Sequence, residues 1–266
     1  MPVSLFHVNA FTDRPFAGNP AAVCPLDRWP DDSLLRAIAA ENNLSETAYF
    51  VPEGDDFRLR WFTPLYEVNL CGHATLASAF VLMNFLDPEL ESVKFETRSG
   101  SLGVRRDSDG FAMDFPALPP WKCETLPNAL MEGLGLSRIH HKPSVLQLKD
   151  NYFVVFENEE QIRNLRPDFH ALKSLHPAGV AITAPSKNTD FVSRYFAPSY
   201  GIPEDPVTGS THCSLAPYWA QRLHKTVLHA RQVSERGGEL WCEVTGTRVI
   251  IKGKAVLTLQ GSMLVG

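Results

Sequence analysis

Three residues that can carry chemistry stand side by side at Cys71, Gly72 and His73, directly before an almost wholly apolar segment. A thiolate next to a basic side chain is a reactive nucleophile, whereas a free cysteine more often serves as a small buried hydrophobe. An imidazole at this position can move protons near neutral pH, or it can be purely structural at a helix start. The residues alone leave both interpretations open for Cys71 and for His73.

Three further polar residues lie in turns or beside apolar segments. Glu46 precedes a strand-like run of apolar and aromatic residues, where partial desolvation would suit its carboxyl group to general acid–base catalysis. The simpler interpretation is an exposed glutamate at a strand start. Asp205 precedes a proline and is equally a common turn former. Asn19 lies in a Gly-Asn-Pro turn signal, and its amide can also reach a ligand.

An internal repeat relates residues 57–66, FRLRWFTPLY, to residues 191–200, FVSRYFAPSY, at a constant offset of 134. Five of the ten positions are identical, which indicates a duplicated unit. At the same offset Cys71 falls on Asp205, so the counterpart of the thiol is predicted to be a carboxylate.

Each repeat copy is followed by a glycine-containing turn that opens into a helical pattern. Helix N-termini present unpaired N–H groups and partial positive charge, which suit a carboxylate or an enolate-like oxyanion. We therefore predict that Gly72-His73 and Thr208-Gly209-Ser210 bind substrate, together with Asn19, in a cleft between the two halves. The alternative is that the glycines only serve backbone geometry.

The elements that must position these residues are mainly short strands. Residues 31–43 form an amphipathic helix pattern, whereas residues 74–86 have no polar face and must form an enclosed helix. Pro217 is expected to bend or interrupt the second helix. The predicted class is α+β, with each half a mostly antiparallel, barrel-like sheet around a central helix. The strand-like segments are 5–8, 47–51, 58–62, 93–97, 111–115, 152–156, 180–183, 193–196, 240–244, 248–251 and 255–259.

A proline-rich segment, residues 117–128, separates the two copies. The predicted domains are therefore residues 1–118, possibly completed by a C-terminal strand at 258–266, and residues 119–257. The active-site cleft is expected between them.

Composition excludes several classes of function. The net charge is −5 without blocks of like charge, so neither nucleic-acid binding nor a basic membrane-binding surface is supported. The longest apolar run is too short to span a bilayer, and the N-terminus lacks the pattern of a secretory signal. Five cysteines without a CxxC spacing indicate reduced thiols in the cytoplasm and make a zinc site improbable. His140 and His141 have no third ligand nearby and are interpreted as solvated surface.

The motifs FHVNAFTDRPFAGNPAAV, NLSETAYF, LCGHAT and GIPEDPVTGS, which lie within residues 6–210, closely resemble those of the PhzF-like (phenazine biosynthesis-like) isomerase family. The resemblance implies the diaminopimelate epimerase-like fold, a small carboxylic-acid substrate, a homodimer, and neither metal nor organic cofactor. In the best-understood family member a glutamate moves a proton within a cyclohexadiene carboxylic acid. The motif positions carry over onto Glu46 as the proton-transferring residue, with His73, Asp205 and Ser210 around the substrate.

Three functions remain open. The leading one is an isomerase that shifts a proton on a small carboxylic acid through Glu46, with Cys71 packing beside the turn. The second is a two-base amino-acid racemase or epimerase that uses Cys71 and Asp205. Relatives of that kind resemble one another in having two cysteines at these sites, and Asp205 breaks the pattern. The third is a catalytically inactive protein that binds a small metabolite. The sequence identifies neither the substrate nor the pathway.

Overall fold

The computed structural model describes residues 2–138, 142–176 and 178–265, and strands dominate them. The strands are β1 Pro2–Ala10, β2 Asn19–Pro25, β3 Glu46–Glu53, β4 Asp56–Phe62, β5 Glu67–Val68, β6 Ser92–Thr97, β7 Gly100–Asp107, β8 Gly110–Pro116, β9 Trp121–Lys122, β10 Ser144–Leu148, β11 Asn151–Val155, β12 Gly179–Pro185, β13 Phe191–Ala197, β14 Ile202–Asp205, β15 Val227–Gln232, β16 Gly238–Thr245, β17 Arg248–Gly253 and β18 Ala255–Leu264. The helices are α1 Asp32–Asn42, α2 Gly72–Val81, α3 Asn128–Gly133, α4 Glu159–Asn164, α5 Phe169–Lys173 and α6 Gly209–Leu223. Each of the eleven strand segments predicted from sequence overlaps an observed strand, and the α+β class is confirmed.

The chain divides into two compact units, Met1–Phe115 with Ile250–Gly266, and Pro116–Val249. The C-terminal strand belongs to the first unit because β18 pairs antiparallel with β1 along almost its whole length. The proline-rich segment belongs to the second unit from Pro116 onward. Its backbone is held there by hydrogen bonds, such as that from the Cys123 N–H to the Val145 carbonyl at 3.0 Å.

The two units share one order of strand pairing. In the first, β1 pairs antiparallel with β2, β2 parallel with β3, β3 antiparallel with β4, β4 parallel with β6, and β6 antiparallel with β7. In the second, β10, β11, β12, β13, β15 and β16 pair in the same order and the same senses. Each parallel pair needs a crossover, and helices supply it in both units. The internal repeat predicted from sequence is therefore visible in the topology.

The repeated arginine and phenylalanine have the same contacts in both units. The Arg60 guanidinium donates two hydrogen bonds to Glu67 and lies 5.0 Å from the centre of the Phe62 ring. Arg194 likewise donates two to Glu204 and lies over Phe196 at 4.9 Å. A planar guanidinium that is paired at its edge and stacked on its face fixes the strand to the following turn. The repeated arginine and phenylalanine are thus explained by structure rather than by chemistry on a substrate.

Equivalent residues of the two units are 134 positions apart in the strands β4 and β13, but 137 positions apart at the starts of the helices α2 and α6. Tyr195 pairs with Asp205, whereas its counterpart Trp61 pairs with Val68. The second unit has room for the extra residues in a 3-10 turn, Pro198–Tyr200, that is followed by a glycine with positive φ.

The predicted pairing of Cys71 with Asp205 is wrong for this reason. The N-cap residue of α2 is Cys71, and the N-cap residue of α6 is Thr208. Thr208 is therefore the structural counterpart of Cys71. Asp205 lies three residues earlier, at the end of β14, where the first unit has Val68.

The all-apolar helix is enclosed, as predicted, over most of its length. Within α2 every residue is buried except Phe80. The prediction of enclosure fails in the π-helical turn that follows, Leu82–Leu86, where Phe85 is 40% and Leu86 46% exposed. The amphipathic helix is α1, whose buried face is Leu35, Ile38 and Ala39. Among the described residues, no helix is both long and apolar enough to cross a membrane.

Of the two predicted effects of Pro217, a bend or an interruption of the second helix, the interruption does not occur. It lies inside α6, which continues from Gly209 to Leu223. A proline lacks the N–H that would bond the carbonyl four residues earlier, here that of Cys213. The backbone N–H of Leu118 donates to this carbonyl at 2.8 Å and replaces the missing bond. The helix therefore continues without leaving a buried acceptor unsatisfied.

Replacing Gly110 by alanine is expected to lower the free energy of unfolding by about 1–3 kcal/mol. A Cβ at Gly110 would lie 2.4 Å from the carbonyl oxygen of Gly253, and this backbone oxygen is not free to move away. Gly103→Ala is the matched control, because no atom lies within 4 Å of its added Cβ. Urea titration of both variants checks the expectation, and equal midpoints would contradict it.

Candidate active site

Four predicted site residues of the first unit come together at the ends of three elements. Asn19 is the first residue of β2, Glu46 is the first residue of β3, and Gly72 and His73 open α2. β2 and β3 are parallel neighbours, so their first residues lie at the same edge of the sheet. Cys71, as the N-cap of α2, lies in the same place.

A chain of hydrogen bonds fixes the protonation state of His73. The Ser45 hydroxyl donates to Asn19 Oδ1 at 3.3 Å, so the amide turns its Nδ2 group toward the imidazole, 3.1 Å from His73 Nδ1. An amide N–H can only donate, so Nδ1 accepts and the ring proton lies on Nε2. His73 Nε2 lies 3.3 Å from Glu46 Oε2. The protonated nitrogen of the neutral ring is therefore the one in contact with the glutamate carboxylate.

Burial determines the charge of this pair. The His73 side chain is 6% exposed, and burial lowers the pKa of its ring to about 3. The imidazole is accordingly neutral at physiological pH, and its partner is a carboxylate with 13% of its side chain exposed. The Oε2 atom that contacts the imidazole is itself buried, so solvent reaches only the rest of the glutamate side chain.

Tyr66 was considered from sequence only as a repeated residue, yet it lies close enough to Glu46 to sense its charge. Burial raises the pKa of the Tyr66 phenol, and the negative charge of Glu46 raises it further. The phenol therefore stays protonated, and it is 40% exposed. Tyr66 is therefore a protonated phenol within electrostatic range of the glutamate, which sequence patterns did not indicate.

Cys71 contacts the same imidazole. Its Sγ lies 3.5 Å from His73 Nδ1 and 4.0 Å from Nε2, and the residue is 6% exposed. Because Asn19 already donates to Nδ1, the ring lacks the second lone pair that a base would use on the thiol. This geometry favours packing over nucleophilic catalysis, although the thiol and the imidazole are in contact.

Four predicted site residues of the second unit come together at the start of α6. The carboxylate of Asp205, which is 9% exposed, accepts a hydrogen bond from the Thr208 hydroxyl at 2.5 Å. Thr208 caps the helix that Gly209 begins, and Ser210 is exposed on its first turn. Asp205 and the helix start are thus linked through one threonine side chain.

Two residues that sequence analysis missed hold this turn in place. Gln232, which is fully buried, accepts from the Thr208 N–H at 2.9 Å and donates to the Asp205 carbonyl at 2.7 Å. His212 donates from Nδ1 to the Thr208 carbonyl at 2.8 Å and stacks on the Phe191 ring. Burial lowers the pKa of His212 to about 4. Neither residue belongs to a motif, since each acts through a fold contact that the sequence does not display.

Acidification is expected to destabilise the protein between pH 6.5 and 5. Burial gives His73 and His212 folded-state pKa values of about 3 and about 4, both below the 6.5 of a solvent-exposed histidine. Below pH 6.5 these two histidines therefore bind protons in the unfolded chain but not in the folded chain. The free energy of unfolding falls as the pH falls below 6.5. At pH 5 each histidine is expected to cost about 2 kcal/mol relative to pH 7.

Urea titrations at pH 7, 6 and 5 measure this slope. His212→Asn is expected to reduce it by about half, because one of the two histidines no longer titrates. His229, which is not buried and lies near Glu239, provides the comparison variant His229→Asn. A free energy of unfolding that is flat from pH 7 to 5 would contradict the account.

One cluster of potential metal ligands occurs among the described residues: Glu46, Cys71 and His73, whose donor atoms all lie within 4.8 Å of one another. His140 and His141 lie outside the described residues.

Comparison with solved structures shows which proteins share this fold. The structure superposes on a hydroxyproline epimerase from Agrobacterium vitis with a TM-score of 0.62 at 12% identity, over 98% of this chain and 92% of that one, which shows a shared fold. It superposes on a PhzF family protein from Enterococcus faecalis with a TM-score of 0.93 at 45% identity, over 100% of both chains.

The sequence comparisons identify the family. Residues 8–261 match the family described as phenazine biosynthesis-like protein. An uncharacterized isomerase of Pseudomonas aeruginosa is 56% identical over 263 residues, which cover 99% of each chain. The chain belongs to the PhzF (phenazine biosynthesis-like) family, and it is an isomerase whose substrate is unknown.

Proposed function

We propose that this protein is a cofactor-independent isomerase that shifts a proton on a small carboxylic acid, with Glu46 as the acid–base group. The observation that carries the proposal is the 3.3 Å contact between Glu46 Oε2 and the Nε2–H of a neutral His73. A partly exposed carboxylate held by a neutral donor can take up a proton and return it. The contact holds its orientation through both steps.

The proposed reaction conserves the composition of the substrate. Glu46 removes a proton from a carbon next to a conjugated system and becomes a carboxylic acid, while the substrate becomes a delocalised anion. The electron pair of the broken C–H bond moves through the conjugated system. Glu46 then returns the proton to a different carbon, so that a double bond changes position and nothing is gained or lost. His73 orients Glu46 and stabilises its ionised form.

The substrate carboxylate is proposed to lie at the helix start formed by Gly72 and His73. The first N–H groups of an α-helix have no partner within the helix and carry partial positive charge. We propose that Asp205 and Ser210 act on the same substrate, with Thr208 and Gly209 holding the second turn. Asn19 is fully buried and bonded to His73, so it is proposed to orient the imidazole rather than touch the substrate.

A reactivity screen in D2O tests this function. Metal-free protein is incubated with cyclohexadiene carboxylic acids and with free amino acids, and NMR and mass spectrometry follow isomer formation and deuterium uptake. The proposal requires a double-bond isomer of a cyclic or otherwise conjugated carboxylic acid. Binding of every such acid without chemical change would instead support an inactive metabolite-binding protein.

A two-base racemase is the second candidate, and the 3.5 Å contact between Cys71 Sγ and His73 Nδ1 is the observation in its favour. The change of offset weakens it, because Cys71 and Asp205 are not structural counterparts. Deuterium exchange into an amino acid that survives Glu46→Gln but not Cys71→Ser would establish the racemase and reject the proposed isomerase.

We also propose that the protein acts in the cytoplasm as a homodimer. All five cysteines are free thiols, which fits a reducing compartment. Sedimentation equilibrium tests the dimer, and a monomeric mass at micromolar concentration would reject it.

A further inference from the structure

The side chain of Gln232 directs all its described hydrogen bonds to the turn that carries Asp205. Gln232 is the last residue of β15 and is fully buried. Its Oε1 atom accepts from the Thr208 N–H at 2.9 Å, and its Nε2 group donates to the Asp205 carbonyl at 2.7 Å and to Thr208 Oγ1 at 3.2 Å. Both N–H groups of the amide are therefore used inside one turn, which satisfies a side chain that would be costly to bury without partners.

These contacts fix the orientation of the amide and, through it, the direction of a hydroxyl group. A backbone N–H only donates and a backbone carbonyl only accepts, so the oxygen and the nitrogen of the Gln232 side chain cannot exchange places. Thr208 Oγ1 receives one of the amide N–H groups, and its own proton points to Asp205 Oδ2, 2.5 Å away. Gln232, Thr208 and the Asp205 carboxylate thus form a hydrogen-bonded chain in which every proton has one direction.

The first unit builds the same elements without this chain. Thr97 ends β6 as Gln232 ends β15, and both strands have the same parallel pairing. Thr97 donates to the Gly100 carbonyl at 2.6 Å, within its own turn. The other two members of the chain have a thiol and an apolar side chain as their counterparts, at the N-cap of α2 and in β5. Folding of a unit therefore does not require the chain, and its presence in the second unit points to a role in the site.

We propose that Gln232 is a positioning residue for the isomerase reaction. It holds the Thr208 hydroxyl as a donor to Asp205, and the hydroxyl holds the carboxylate in the orientation in which it acts on the substrate. The amide touches neither the substrate nor the migrating proton. A carboxylate held in this way needs no reorientation during the reaction. The inference rests on the role of Asp205 in the proposed function and extends that role to a residue of another strand.

Proton NMR of the Thr208 hydroxyl tests the chain without any substrate. We expect the wild type to show a slowly exchanging hydroxyl proton, assigned by its loss in Thr208→Val, and Gln232→Glu to lose it. A carboxyl group supplies at most one proton where the amide supplies two, so it cannot serve both the Asp205 carbonyl and the Thr208 hydroxyl. Gln161→Glu is the matched control and should leave the resonance unchanged, because the side-chain oxygen of Gln161 also accepts backbone N–H groups but lies in α4.

Kinetics then separate positioning from a purely structural role. With the acid that the wild type isomerises, Gln232→Glu is expected to lower kcat/KM about tenfold, since a misplaced group loses much of its effect. In an Asp205→Asn background the same substitution should cause no further loss, because residues that act as a unit are not additive. A purely structural role would lower kcat/KM by the same factor in both backgrounds.

Three results would overturn the inference: no slowly exchanging Thr208 hydroxyl proton in the wild type, a resonance that persists unchanged in Gln232→Glu, or an equal loss of kcat/KM in both backgrounds. Circular dichroism establishes that each variant is folded. If Gln232→Glu does not fold, Gln232→Met replaces it, and if neither folds, the wild-type resonance decides. Full activity of Asp205→Asn would reject the proposed role of Asp205. Reduced activity of Asp205→Asn with full activity of Gln232→Glu would reject only the role of Gln232, so the two failures are distinguishable.

Discussion

Replacing Glu46 by glutamine is expected to lower kcat by about 10²–10⁴-fold, because the amide cannot accept the substrate proton. Glutamine has the same shape as glutamate and can keep the 3.3 Å contact with His73 Nε2, so the local geometry should persist. Substrate affinity should therefore change little, since the proposed anchor is the start of α2 rather than the glutamate. Steady-state kinetics and isothermal titration calorimetry measure the two quantities separately.

Two further variants separate chemistry from folding. Glu46→Asp keeps a carboxylate on a side chain that is one methylene shorter, so the variant should retain partial activity. Glu53→Gln alters the last residue of the same strand, which is exposed and weakly paired with Arg58 at 3.8 Å, and should leave turnover unchanged. A kcat for Glu46→Gln close to that of the wild type would reject the assigned role.

Replacing Asp205 by asparagine is expected to lower kcat/KM by about 10²-fold. Asparagine can still accept from the Thr208 hydroxyl, which bonds the carboxylate now, so the turn before α6 should keep its shape. What is lost is the negative charge and the ability to hold a proton. The effect is smaller than that of Glu46→Gln because Asp205 is proposed to assist rather than to carry the migrating proton.

Glu204→Gln is the control for Asp205→Asn, because Glu204 and Asp205 are adjacent residues of β14. Glu204 accepts two hydrogen bonds from Arg194, a largely buried pair, and its neutralisation should lower the free energy of unfolding by about 1–3 kcal/mol. We expect Glu204→Gln to lose stability and keep turnover. We expect Asp205→Asn to keep stability and lose turnover. An Asp205→Asn variant as active as the wild type would reject the proposed role of Asp205 in the reaction.

Sequence predicted the fold well because its signals are local. Segments rich in β-branched and aromatic residues marked eleven strands, and the lack of a polar face in 74–86 marked the enclosed helix. Two of the strands it missed have weak local signals: β7 contains two glycines and several charges, and β2 has prolines at its second and last positions. The sequence could not show that Pro217 leaves the helix uninterrupted, because the compensating N–H comes from Leu118, which is far away in sequence.

For the site, sequence found the residues but not their relations. Glu46 and His73 stand out through motifs, yet the tautomer of the ring depends on Asn19 and Ser45, which only the folded geometry brings to it. Gln232 and His212 hold the turn of Asp205 and lie in unremarkable segments. Cys71 was wrongly matched with Asp205 because the offset of 134 was assumed to continue beyond the repeated segment, where the second unit has an insertion. Strand register reveals the insertion, since pairing partners are fixed by hydrogen bonds.

The most direct test of the central claim is the rate at which the metal-free protein exchanges a carbon-bound proton of its substrate with D2O, compared with Glu46→Gln at equal concentration. The account predicts that the wild type introduces deuterium at one carbon, with a double-bond isomer accumulating in parallel. Glu46→Gln should bind the substrate and exchange it at least about 10²-fold more slowly. Exchange by Glu46→Gln at the wild-type rate would contradict the claim that Glu46 moves the proton.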